Sequence, residues 1–173
     1  MKRTFNAVMA YEDARLAERA QKAWEHLMST LQGDHCSGLR LWQFDLLRTA
    51  EMRGAAARDA AQADMILIAT RGTGELPTDV KDWIDGWLVQ KRKAYDSQRT
   101  LAALFGALPM TVGIHALAQF AYLQRVARRG NMDFLVSTFD LWGENTGFCR
   151  LQNAERPRAA TGRIVMPNES RRP

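Results

Sequence analysis

Residues 64–70 read Asp-Met-Ile-Leu-Ile-Ala-Thr, five apolar residues in an unbroken row behind an acid. A run this short is a strand length rather than a helix length, and having no polar alternation it must be covered on both faces. Such cover comes from helices on either side of a parallel sheet, so this one segment points to an α/β architecture. The rest of the chain supplies the same alternation. Phe5 to Tyr11 is a short apolar run with aromatic ends, and behind it Leu16, Ala20, Ala23, Leu27 and Leu31 recur at three- and four-residue steps until Gly33.

Leu39 to Leu46 predicts a second strand, with Leu39 and Leu41 on one face and Trp42 and Phe44 on the other. Thr49 to Gln62 is alanine-rich and helical despite Gly54. After the strand at Met65 and the loop Thr70–Glu75, Pro77 opens a helix in which Asp79 and Asp82 suit the positive end of the dipole. Val80, Trp83, Ile84, Trp87 and Leu88 line its buried side, and Lys91, Arg92 and Lys93 close it. Leu101 to Phe105 predicts a fourth strand, Met110 to Arg129 a fourth helix capped by Gly130, and Phe134 to Ser137 a fifth strand. The order βαβαβαβαβ requires right-handed crossovers with helices shared between the two faces, which gives a three-layer α/β/α sandwich around a five-stranded parallel sheet. Residues 1–142 form this domain. From 143 to 173, Asn145, Gly147, Pro157, Gly162 and Pro167 interrupt any periodicity, predicting an irregular basic tail that is either loose or wrapped on the surface, with Ile164-Val165-Met166 as the group to tack it down.

Charge follows the same division. The net charge of +5 is carried largely by the tail, where six arginines from Arg150 onward stand against Glu155 and Glu169, six minus two giving +4. The body is close to neutral, which argues against a nucleic-acid partner. Cys36 and Cys149 are too few for a disulfide framework or a zinc module and fit a reducing cytoplasm. Thr100 to Leu123 has no charged residue, yet Gly106, Pro109, Gly113, His115 and Gln119 divide it into strand, turn and helix, so no membrane span is expected. No signal peptide is expected either, because acids interrupt the apolar run after Tyr11.

In open α/β sheets the ligand crevice lies outside the carboxyl ends of the strands. That rule selects the loops beginning at Tyr11, Asp45, Thr70, Gly106 and Ser137, and within them Tyr11, Glu12, Asp13, Thr70, Arg71, Gly72, Thr73, Gly74 and Gly106 are the ligand-binding candidates. The stretch MILIATRGTGELPTDVKDWIDGWL, Met65 to Leu88, resembles the third strand, flavin-contacting loop and following helix of flavodoxins and of the flavodoxin-like domains of diflavin reductases. RTLAALFGA, Arg99 to Ala107, is similar to their fourth strand with its Phe-Gly ending. The resemblance covers about a fifth of the chain and implies the flavodoxin-like strand order 2-1-3-4-5, with FMN as the cofactor it would bring.

Three positions depart from the flavin-binding pattern. Glu12-Asp13 replaces the hydroxyl- and glycine-rich phosphate loop, and two acids there would repel a phosphate. Arg71 stands where the family offers an aromatic ring, and Ala107-Leu108-Pro109 where it offers a second. The acid pair and Asn131 to Leu141 also resemble receiver domains of two-component signalling, but Ala69-Thr70 replaces the phosphoryl-accepting aspartate and Ser137 the terminal lysine. His26, His35 and His115 are scattered, Asp34-His35-Cys36 has no partner cluster, and no metal site is expected. His115 reads as a hydrogen-bonded core residue, and Trp83 and Trp87 read as core packing. No nucleophile elbow or Walker loop is present.

The reading these patterns favour is a non-catalytic flavodoxin-like interaction or regulatory module, acting on a protein partner or a small-molecule ligand. The alternatives are an FMN-binding electron-transfer protein or reductase, and a nucleotide- or sugar-processing enzyme using Glu12, Asp13, Thr70 and Arg71. A homodimer is compatible with all three.

Overall fold

The computed structural model describes residues 5–30, 37–91, 99–106, 114–138 and 149–151. Gly33, Asp34-His35-Cys36, Arg92, Lys93, the segments 107–113 and 139–148, and Ile164-Val165-Met166 lie outside the described residues. The elements run β1 (Phe5–Tyr11), α1 (Ala14–Thr30), β2 (Ser37–Gln43), α2 (Ala50–Gln62), β3 (Met65–Thr70), α3 (Thr78–Lys91), β4 (Thr100–Phe105), α4 (Ile114–Arg129), β5 (Asp133–Thr138) and β6 (Cys149–Leu151). Strands β1 to β5 are parallel in the order 2-1-3-4-5, as the flavodoxin-like pattern implies. Among the described residues no helix is long and apolar enough to cross a membrane, and the charge-free stretch from Thr100 is strand β4 and, from Ile114, helix α4.

All six residues of β3 are buried, as its unbroken apolar run requires. The pleat divides them between two cores. Met65, Leu67 and Ala69 join Ala7, Met9, Ala102 and Leu104 beneath Leu16, Ala20, Ala23 and Trp24 of α1. Ile66 and Ile68 join Val8, Ala10, Leu101, Ala103 and Phe105 beneath α2, α3 and α4. Helix α2 presents only alanines to this second core, Ala56, Ala57 and Ala60, and this small surface admits α3 so closely that a Cβ on Gly86 would lie 3.6 Å from the Ala57 Cβ. Trp83 and Trp87 fill the space at 0 % exposure, edge to face, and so are core residues.

Four local expectations are corrected. The second strand ends at Gln43, and Phe44–Arg48 coil into a 3₁₀ turn whose buried Phe44 and Leu47, three apart, face the same core. Pro77 precedes α3 rather than opening it, its carbonyl accepting from the Val80 and Lys81 N–H groups. At the end of α4 the left-handed residue is Asn131 (φ 49°), not Gly130; Asn131 N–H donates to Arg128 O and Met132 N–H to Ala127 O, a Schellman closure. Gly130 sits in a tight space, where a Cβ would lie 3.1 Å from Leu88 and Met132 side-chain atoms. His115 is exposed, outside the buried stripe Ala116, Gln119, Leu123, Val126 and Ala127. The sheet also gains a strand within the stretch expected as tail: β6 runs antiparallel to β5, pairing Cys149 with Val136 and Leu151 with Phe134.

Candidate functional site

Parallel pairing of β1, β3 and β4 brings their carboxyl ends side by side, Tyr11 opposite Ala69 and Thr70 opposite Phe105. The ladder continues one step into the loops: Glu12 N–H donates to Ala69 O (3.0 Å) and Gly106 N–H to Thr70 O (2.7 Å). Glycine suits 106, where a Cβ would lie 3.2 Å from the Arg71 Cα and press on the backbone of the neighbouring loop. The chain then turns through Gly72 (φ 74°), which is buried; a Cβ would lie 3.2 Å from the Ala116 Cβ and 3.3 Å from the Phe105 ring. Nothing crowds Gly74, whose carbonyl accepts from the Gln119 amide.

The acid pair is bound into this framework. Glu12 Oε2 accepts from the Thr70 hydroxyl (2.9 Å) and from the Arg71 N–H (2.7 Å), and Thr70 Oγ1 in turn accepts from the Gly72 N–H (3.3 Å). Asp13 caps α1: its Oδ1 accepts from the Leu16 N–H (2.9 Å), while Oδ2 accepts from Arg71 Nε (2.5 Å). Burial opposes ionisation of Asp13, but the Leu16 N–H, the Arg71 guanidinium and the Arg15 N–H outweigh it and hold the carboxyl below its usual value. The loops after β1 and β3 are thus closed into one network in which Glu12 serves as a hub rather than as a group turned to solvent.

Above this network lies a crevice of about 260 Å³ lined by Asp13, Arg15, Leu16, Arg19, Arg71, Thr73 and Gly106. Of the sequence candidates, Asp13, Arg71, Thr73 and Gly106 reach it. Glu12, Thr70 and Gly72 stand behind it, Gly74 faces α4, and Tyr11 packs against the α1-side core. Arg15 and Arg19 escaped the sequence reading. Their signal is a pair of arginines four residues apart in the first turns of the helix after β1, on one stripe at the carboxyl end of the sheet. With Arg71 they set three guanidinium groups against one carboxylate, so the lining is electropositive although two acids lead into it. Among the described residues no group of three or more His, Cys, Asp or Glu side chains could hold a metal ion. No family model matches the chain, and no curated protein matches it at a significant level of similarity.

Proposed function

We propose that this chain is a non-catalytic, flavodoxin-like regulatory module of the cytoplasm that recognises an anionic group of a small-molecule ligand in the crevice between Arg15, Arg19 and Arg71. The observation that carries this reading is the engagement of both carboxylates by scaffold donors, Glu12 by Thr70 and Arg71, Asp13 by Leu16 and Arg71. These bonds set both acids to bracing the loops after β1 and β3, and each carboxylate keeps lone pairs beyond them. What the crevice offers a ligand is guanidinium, suited to phosphate or carboxylate.

FMN is the second reading, favoured by the strand order and by the Gly72–Gly74 loop. Against it, no aromatic ring is among the described residues lining the crevice, and 260 Å³ falls below the roughly 300–1,000 Å³ of pockets that enclose drug-sized ligands. Thermal denaturation of the purified protein with sodium pyrophosphate and with FMN tests both. Pyrophosphate at millimolar concentration is expected to raise the melting temperature of the parent chain and to leave an Arg15→Glu/Arg19→Glu variant unmoved. No shift in the parent chain would remove the anion reading, and a yellow protein with flavin absorbance would replace it.

A further inference from the structure

Helix α4 carries one residue that its position does not explain. Gln119 stands on the buried stripe between Ala116 and Leu123 and is only 4 % exposed. Its Nε2 donates to Gly74 O, which fixes the orientation of the amide and leaves Oε1 as a buried acceptor that no described group satisfies. Leaving such an acceptor unmet is unfavourable relative to an apolar residue of similar shape, so a glutamine here calls for a donor. Gln119 lines a cleft of about 190 Å³ between the loop 74–76, α3 and α4. The other walls are Glu75, Leu76, Lys81, Ala118, Tyr122 and Arg125.

The chemistry of these walls is bipolar. Lys81 Nζ lies 3.5 Å from the Glu75 carboxylate and 5.9 Å from the centre of the Tyr122 ring, so an ammonium, a carboxylate and an aromatic face already meet at the mouth. Arg125, one helical turn beyond Tyr122, adds a fork suited to a carboxylate. Leu76 and the Tyr122 ring supply apolar wall. Burial, and then the Asp85 carboxylate, push the Tyr122 phenol above its usual value, so at neutral pH this wall adds no charge.

We propose that this cleft binds a small zwitterion, a free α-amino acid, with its ammonium group donating to Gln119 Oε1 and Glu75 and its carboxylate held by Arg125 and Lys81. A lone anion would satisfy the cations and leave the Gln119 carbonyl unmet, and a lone cation would do the reverse. A molecule with both groups on one carbon atom answers all four, and 190 Å³ suits a ligand of that size. The site shares only the loop 70–77 with the arginine crevice, and the proposal does not depend on the function suggested for that crevice.

The test is isothermal calorimetry and thermal denaturation of the full chain with each of the twenty free amino acids. At least one is expected to bind with a dissociation constant tighter than about 1 mM. Arg125→Ala, on an exposed residue, is expected to weaken that binding by about tenfold or more, and Gln119→Leu to weaken it similarly while the unliganded protein melts no lower than the parent. Arg15→Glu/Arg19→Glu is expected to leave it unchanged. Failure of every amino acid to bind at about 10 mM overturns the proposal, as does undiminished binding in both Arg125→Ala and Gln119→Leu. Equal affinity for propionate overturns the zwitterion assignment.

Discussion

The loop 70–77 is held from two sides, and the two attachments differ in how completely their polar groups are answered. Toward α1 the loop meets Glu12 and Asp13, and their carboxylates accept four hydrogen bonds from Thr70, Arg71 and Leu16. Toward α4 it meets Gln119, whose amide makes one bond to Gly74 O while its carbonyl has none. Both sides contain conspicuous polar residues, but only Gln119 presents a side-chain oxygen that is buried and without a partner among the described residues. A buried polar group whose bonds close within the protein specifies geometry; one left open stores capacity for a ligand. The acid pair is therefore read as scaffold, and the glutamine as the group with something left to bind.

Several substitutions test that contrast, and the largest effect belongs to the closed side. Glu12→Ala removes two charge-assisted bonds and strands the buried Thr70 hydroxyl, so chemical denaturation is expected to show a loss of about 3 kcal/mol. A loss under about 0.5 kcal/mol would mean the hub is ornamental. Gly72→Ala acts on the turn that both sides share. It places a Cβ at φ 74° against Ala116 and Phe105, and is expected to cost about 2 kcal/mol.

The next effect is a dependence on pH. Because the folded-state pKa of Asp13 is lowered, its ionised form contributes stability above the unfolded value of about 3.9, and that contribution is lost as pH falls through the folded value. An asparagine side chain at this position would still cap α1, so the stability difference between the parent and Asp13→Asn isolates the charge. That difference is expected to be present at pH 6 and to shrink toward zero in the acid limb below about pH 4. A difference that stays constant from pH 6 to pH 3 would show that the charge has no part in it. The smallest effect is on the open side: Gln119→Leu exchanges one bond and one orphaned acceptor for apolar packing and is expected to change unliganded stability by less than about 1 kcal/mol. A loss of about 3 kcal/mol would show Gln119 to be as structural as Glu12.

Much of the fold was legible because its signals are local. The unbroken apolar run at Met65, the stripe through Val80, Trp83, Ile84, Trp87 and Leu88, and the glycine at the end of β4 each state their own environment. Where local signals compete, the sequence reading slipped. Phe44 alternates correctly for a strand but is three residues from Leu47, and burial of that pair curls the chain into a turn. Gly130 and Asn131 both favour a helix end, and it is Asn131 that takes the left-handed conformation.

Periodicity by itself determined that strands and helices alternate and which sides of α1 and α3 are buried, because side-chain pattern is a property of consecutive residues, and the strand-end rule pointed to the loops after β1, β3 and β4. Only the tertiary structure decided that Glu12 turns inward to Thr70 and Arg71, that Arg15 and Arg19 face the crevice, and that Gln119 reaches Gly74. These are meetings between residues up to 59 positions apart. Whether a carboxylate is a ligand, a base or a brace depends on which donors such meetings bring within about 3 Å, and no spacing along the chain encodes that.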